Sequence, residues 1–369
     1  MCQINKNIMR KFLLILSLFA SLSVEAQYVT TFAKNAPETQ EDGVLYYLPR
    51  NVIVLEFTIE ETNYYIGPYA EFASRLLGIN DFVKENKTEY SIKDVNIQLI
   101  NENDPNAVYF ISVDEKSKEP FPNVILDTDG VILAFGHDNL PSNLQIKRDS
   151  YIYNETNSVD KQEVTFVDIL DNEIEIDDDD DDEEEGRAPR KITKEDKAKA
   201  ALDKISKIRT AFYELISGFN EVSYGNTISY MADNMKSLEN EYISLFKGKI
   251  VKNTYKKVVY VTPENNQANA SVSIAKIPNI DGSLKVQFES KNSLANVNSL
   301  SDNTKNASQT NKLFYRIPAE SNVKVMLGNK ILAEKQMVIS QFGEIRTVSA
   351  KNNKILFNPN TGQVTSILH

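Results

Sequence analysis

Gly43–Glu61 reads GVLYYLPRNVIVLEFTIEE, and its periodicity decides the class of the fold. Ile53, Leu55, Phe57 and Ile59 fall on one face, and Val52, Val54, Glu56 and Thr58 on the other. A period of two with one wholly apolar side is the pattern of a strand lying on a core. A helix would place its apolar residues three and four apart instead.

Working outward from this strand, GPYAEFASRLLG (Gly67–Gly78) changes period. Pro68 suits a first helical turn, where a missing N–H costs nothing, and Gly78 suits the position just past a helix end. Tyr69, Phe72, Ala73, Leu76 and Leu77 form a stripe, so Pro68–Leu77 is predicted as a short helix packed on a sheet. Strand patterns return at Val95–Ile100, Ala107–Val113, Val124–Gly136 and Glu163–Leu170. Within the third, Asp127-Thr128-Asp129-Gly130 separates two apolar runs. The calcium loop of an EF-hand needs further ligands and a distant bidentate Glu, so an Asp-Gly hairpin turn is the better reading.

Beyond Thr193 the spacing becomes helical. Thr193 and Asp196 are placed as a capping box, and Ala198, Ala201, Ile205, Ile208, Phe212, Leu215 and Phe219 recur alternately at three and four. Thr227 offers a second cap. Ile228, Met231, Met235, Leu238, Tyr242 and Leu245 repeat the pattern, and Gly248 ends it. Two such helices joined by a short loop predict a long antiparallel helical hairpin whose apolar stripes are core. From Lys256 onward the chain is again a series of short alternating runs, with turns at Gly328-Asn329 and Asn360-Thr361-Gly362. Lys291–Asn311 is polar and reads as a loop. LYYLPRNVIVL (Leu45–Leu55) and LFYRIPAESNVKVML (Leu313–Leu327) echo one another weakly, too briefly to establish a duplication.

At the N-terminus, Arg10 and Lys11 precede the apolar run Phe12–Val24, and Val24-Glu25-Ala26 offers small residues for cleavage before Gln27. This is the composition of a secretory signal peptide, residues 1–26, and the rest holds no second long apolar run. Cys2, the only cysteine, lies within it, so the mature chain has no disulfide and no thiolate chemistry. The net charge is −11, and most of it sits in the nine consecutive acids Asp177–Glu185, followed by Gly186-Arg187-Ala188-Pro189-Arg190-Lys191. There is thus no basic field for nucleic acid. Consecutive carboxylates repel and cannot all converge on one ion, so residues 171–192 read as a solvated, disordered linker. Ion-dependent docking through the run is the sharper alternative.

YYLPRNVIVLEF, GPYAEFASRLLGI, LENEYISLFKGK, LFYRIPA, ISQFGEIRTV and FNPNTGQV follow one another in this order behind the signal. In that order they resemble the domain-of-unknown-function family catalogued as number 4831, exported proteins of gram-negative bacteria, over nearly the whole mature chain. Val348-Ser349 stands where the family pattern ends its QFG strand with Leu-Pro. The resemblance implies export and the domain order, and it brings no catalytic residue.

The chemistry-bearing residues are sparse. Histidine occurs only at His137, in a loop beside Asp138, and at His369, the last residue, expected to fray. Neither supports a triad or a zinc site. No phosphate-cradling glycine motif occurs. The sequence therefore names no catalytic, cofactor-binding or metal-ligating residue and no cofactor. The fold class expected is α+β, with two mainly antiparallel β domains, sandwich- or barrel-like, bridged by the helical hairpin. Along the chain this places an N-terminal β-rich domain at 27–170, the linker at 171–192, the hairpin at 193–249 and a C-terminal β domain at 250–369. The expected function is a non-enzymatic binding or structural module at the cell envelope, in the periplasm or on the outer surface, with an envelope protein or glycan as partner. The alternative is a carboxylate-dependent hydrolase acting on envelope glycans or peptides. Two convergent carboxylates in a deep pocket would favour the enzyme, and an apolar or aromatic patch the binding module.

Overall fold

A computed structural model describes residues 28–35, 43–113, 120–141, 164–169, 191–217, 227–290 and 309–369. The signal peptide, the acidic run and most of the 291–311 loop lie outside the described residues. Thirteen strands and three α-helices follow in this order: β1 (Tyr28–Phe32), β2 (Gly43–Tyr65), α1 (Ala73–Leu77), β3 (Lys87–Val113), β4 (Val124–Leu126), β5 (Ile132–Phe135), α2 (Lys194–Ser217), α3 (Ile228–Lys247), β6 (Lys249–Val261), β7 (Ser271–Ser273), β8 (Leu284–Ser290), β9 (Gln309–Thr310), β10 (Lys312–Leu327), β11 (Lys330–Ser349), β12 (Lys354–Phe357) and β13 (Val364–Leu368).

The strands make three open sheets, ordered β6-β2-β3-β1-β9, β11-β10-β8-β7 and β13-β12-β5-β4. Every strand pair with a defined register is antiparallel. None of the sheets closes on itself among the described residues, so the barrel-like option is set aside. β1 pairs with β9, and β5 with β12. Strands from the 27–170 and 250–369 regions therefore lie side by side.

By its internal contacts the chain forms two compact units: residues 1–57, 94–154 and 257–369, and residues 58–93 and 155–256. The strands β2, β3 and β6 each pass from one unit into the other.

In the first unit β2 behaves as its alternation requires. Ile53, Leu55 and Phe57 are fully buried, and Val52 and Val54 on the opposite face are buried too. Tyr46, Leu48, Tyr109, Ile111, Phe135, Phe314, Ile355 and Phe357 make one continuous core. Tyr109 stacks on Phe314 with centroids 4.3 Å apart, and on Tyr46 at 5.5 Å. The DTDG stretch is the hairpin turn: Asp127 Oδ1 accepts the N–H groups of Asp129 and Val131, each at 2.9 Å, between β4 and β5. β10 and β11 form a long hairpin through Gly328-Asn329, with a register shift at Pro318. The chain approaches itself there so closely that a Cβ on Gly343 would lie 2.9 Å from the Pro318 carbonyl carbon and closer still to Ile317.

In the second unit, Pro68 and Tyr69 form a turn, Ala70–Phe72 is 3₁₀, and only Ala73–Leu77 is α-helical. The α-helical part is thus half the expected length, and the Tyr69 N–H, which the first turn of a helix leaves without an internal acceptor, donates to Leu245 O (2.8 Å). The predicted box forms at α2: Thr193 Oγ1 accepts from Asp196 N (3.2 Å), and Asp196 Oδ2 accepts from Thr193 N (2.8 Å). Thr227 is the residue before α3 but makes no side-chain cap bond. Arg209 pairs with Glu239 at 2.6 Å, and Lys236 lies over Phe212. Ala198, Ala201, Ile205, Leu245 and Phe246 are buried together with Tyr69, Ala73 and Ile169.

Three expectations need correction. Ile228 and Leu238, expected in the core, are exposed, although Ala198, Ala201, Ile205, Leu215 and Leu245 of the same stripes are buried. Residues 164–169, expected within a strand, carry no secondary structure, since Phe166 and Ile169 spend their apolar faces on the helices rather than on a sheet. Gln309 and Thr310, expected in a loop, pair with β1 as β9.

Candidate functional site

Two of the places where polar side chains gather among the described residues are candidates for a site. The first lies inside the first unit. β2 brings Asn51 there, β3 brings Asn101 and Asp104, β10 brings Arg316, and β11 brings Ser340 and Gln341; all are buried. The Gln341 side chain acts as a substitute peptide group. Its Oε1 accepts from Asn51 N (2.9 Å), and its Nε2 donates to Asn51 O (2.6 Å). The Asn51 side chain returns the exchange, accepting from Ser340 N–H and donating to Asn101 Oδ1. Asn101 then donates to Asn360 Oδ1 at 3.0 Å. Beside this network Arg316 pairs with Asp104, whose other oxygen accepts from Asn106 N at 2.9 Å. Burial pulls the Arg316 pKa down, and the Asp104 carboxylate opposes that pull. Burial pushes the Tyr109 and Tyr46 hydroxyls up. The Tyr46 hydroxyl both donates to Phe314 O (3.2 Å) and accepts from Phe314 N (2.9 Å).

This network joins stretches far apart in sequence, namely YYLPRN, LFYRIPA, ISQFG and FNPNTGQ. It is closed to solvent and largely saturated with its own hydrogen bonds. Apart from Arg316 Nε and Ser340 Oγ, which have no partner among the described residues, its groups are engaged with one another, and their effect is to fix strand positions.

The second place is a half-open cleft of about 410 Å³ in the second unit. It is lined by Tyr64 at the end of β2, by the segment Asp81–Glu85, by Lys87, and by Lys247, Gly248 and Ile250 where α3 passes into β6. Its shape is fixed by backbone contacts. Val83 N–H donates to Lys247 O (2.9 Å), and Ile66 N–H to Asn86 Oδ1 (2.7 Å). Gly248 has φ +83°, and a Cβ there would lie 2.8 Å from the Val83 Cβ and closer still to Tyr65 O. Only glycine lets the helix end turn into the strand at this point. Lys87 lies over the Tyr64 ring (4.9 Å) and bonds Glu89 at 2.7 Å, and Tyr64 donates to Glu89 at 3.1 Å. These bonds hold the Glu89 pKa below, and the Lys87 pKa above, their usual values. Ile250 is 55% exposed, an apolar wall open to solvent.

The residues weighed from sequence lie elsewhere. His137 is buried, and its Nε2 has no protein partner among the described residues. Burial lowers its pKa, Lys354 adds to the effect, and Asp138 opposes it. Asp138 accepts from Asn123 (3.2 Å) rather than orienting the ring, so a base–orienter pair is not assembled. His369, expected to fray, bonds Asn353 through Nδ1 at 2.6 Å. No group of three or more potential metal ligands occurs among the described residues. No described helix is long and apolar enough to cross a membrane. Sequence reasoning did not find the cleft, because its lining comes from four separate segments whose individual residues are ordinary surface types.

A sequence model described as Domain of unknown function (DUF4831) matches residues 42–365, nearly the whole chain. No curated protein and no solved structure matches it.

Proposed function

The chain belongs to that family, and from this premise we propose that it is an exported, non-enzymatic binding or structural module of the gram-negative cell envelope, in the periplasm or at the outer surface. The observation that carries the reading is the cleft: a preformed, half-open depression with Tyr64, Phe82 and Ile250 as apolar walls. A concave site with apolar walls and a few polar groups is what small ligands and chain ends use. The organisation that goes with it is two β regions bridged by an antiparallel helical hairpin made of α2 and α3. The Arg209–Glu239 pair and the Lys236–Phe212 contact support that arrangement.

A hydrolase would need a carboxyl group held protonated near neutrality beside a second, ionised one. Among the described residues, the carboxyl groups whose titration is clearly displaced are Glu60, Glu89, Glu195 and Glu289, and all four are lowered by lysine or arginine partners. This favours binding over hydrolysis.

The test is made in cells. A photo-crosslinking residue at position 250 and, as control, at exposed position 213 is introduced into the full-length protein, and the envelope is fractionated. Export predicts a mature chain starting at residue 27 in the envelope or periplasmic fraction, with an adduct formed at 250 and none at 213. An uncleaved chain confined to the cytoplasm refutes export. Turnover of an envelope glycan or peptide that is lost with Glu85→Gln refutes the non-enzymatic reading.

A further inference from the structure

The charges on the cleft go further than its shape. Lys87 is already committed to Glu89 and to the Tyr64 ring. Of the other ionisable lining groups, Lys84, Lys247, Asp81 and Glu85 make no ion pair or hydrogen bond among the described residues, although the Glu85 charge also acts on the Lys87 ammonium. Two lysines and two acidic residues therefore line one depression without being bonded to each other. A simple anion entering it would meet Asp81 and Glu85, and a simple cation would meet Lys84 and Lys247. Each would be attracted and repelled by comparable charges at short range. A molecule carrying both signs a few ångströms apart satisfies both pairs. The apolar walls of Tyr64, Phe82 and Ile250 further require that molecule to have an apolar body. The volume of about 410 Å³ lies within the range of ~300–1,000 Å³ common for small-ligand sites. The backbone bonds from Val83 and Ile66 and the glycine at 248 hold the walls before any ligand arrives, so little ordering cost remains for binding.

We propose that the cleft bounded by Tyr64, Asp81–Glu85, Lys247 and Ile250 binds a short peptide with free ends and an apolar side chain. The carboxylate lies toward Lys84 and Lys247, the ammonium toward Asp81 and Glu85, and the side chain against Tyr64, Phe82 and Ile250. This rests on the binding-module reading and names the ligand class for its site.

The experiment uses the mature chain and alanyl-phenylalanine as probe, followed by calorimetry and by chemical-shift changes of residues 81–87 and 247–250. The free dipeptide binds saturably, and N-acetylation or C-terminal amidation each weakens binding by about tenfold or more. In the Lys84→Ala/Lys247→Ala variant, amidation no longer matters while acetylation still does. The Asp81→Asn/Glu85→Gln variant shows the reverse. These substitutions are at the surface, and an unchanged circular dichroism spectrum certifies the fold. Equal affinity for free and blocked dipeptides overturns the proposal, and so does no saturable binding at millimolar concentration. If the dipeptide fails while the crosslinker at 250 still captures an envelope molecule, the peptide class falls and the module reading stands. If both fail, both fall.

Discussion

Separating Arg316 from Asp104 is the most demanding test of the first unit's interior. Both residues are nearly inaccessible, with Arg316 at 2% and Asp104 at 6% exposure. Arg316→Met removes the cation and leaves a carboxylate that solvent cannot reach. Asp104→Asn removes the anion but keeps an oxygen for the Asn106 N–H, so that bond at 2.9 Å within β3 is preserved. Breaking one half of a buried pair costs about 3–5 kcal/mol, most of it the uncompensated charge that remains. The double variant leaves no buried charge and is expected to lose less than about 2 kcal/mol, giving a coupling of about 3 kcal/mol or more. Urea unfolding followed by circular dichroism reads these differences, provided the slope with denaturant is the same in all four proteins. Raising salt from about 0.1 M to about 1 M should leave the coupling unchanged, since screening acts weakly on buried pairs. The exposed Arg75–Glu195 pair is the contrast, with an expected coupling of about 0–1 kcal/mol that salt removes. Single variants that each cost under about 1 kcal/mol and simply add would refute the assignment of a compensated buried pair.

Four further outcomes follow from the same geometry. Tyr46→Phe strips Phe314 of a partner for both its N–H and its carbonyl, and should cost about 2 kcal/mol in urea unfolding, against near zero for Tyr213→Phe at the surface. Gly343→Ala drives a methyl group into the Ile317–Pro318 backbone and should cost about 3 kcal/mol or more, read as a collapse in soluble yield and thermal midpoint. Thr193→Ala breaks the capping box and should lower stability by about 1 kcal/mol, with faster amide exchange confined to the first turn of α2. His137 is held below its ordinary value of 6.5 by burial, so the unfolded chain takes up the proton first. Its contribution is intact above that value and is lost as pH falls toward the lower folded value; a His137→Gln variant with the same pH slope as the parent would refute this.

The elements legible in the sequence were those whose signals are local. The alternation of Ile53, Leu55, Phe57 and Ile59 required one buried strand face, and all four are buried. Asp127-Thr128-Asp129-Gly130 named its own turn because the Asp127 side chain bonds two N–H groups within four residues. Thr193 and Asp196 likewise named the start of α2. Local rules failed where a distant partner intervened. Residues 68–72 form a turn and a 3₁₀ segment whose Tyr69 N–H bonds Leu245, and 164–169 gave up strand to cover the helices. The cleft was illegible for the same reason: Tyr64, Lys84, Lys247 and Ile250 carry no mutual spacing, and only the turn at Gly248 brings them to one depression.

The sequence by itself determined the β-rich class, the turns, the cap of α2 and the family, because each rests on periodicity or on bonds that close within a few residues. The tertiary structure alone decided which strands are neighbours. Alternation marks which side of a strand is buried but says nothing of what lies beside it. Thus β1 meets β9 across nearly the whole chain, and Asn51 finds its backbone partner in the side chain of Gln341. It also decided which charges are bonded, since Lys87 and Lys84 look alike along the chain but of the two only Lys87 pairs with a carboxylate among the described residues.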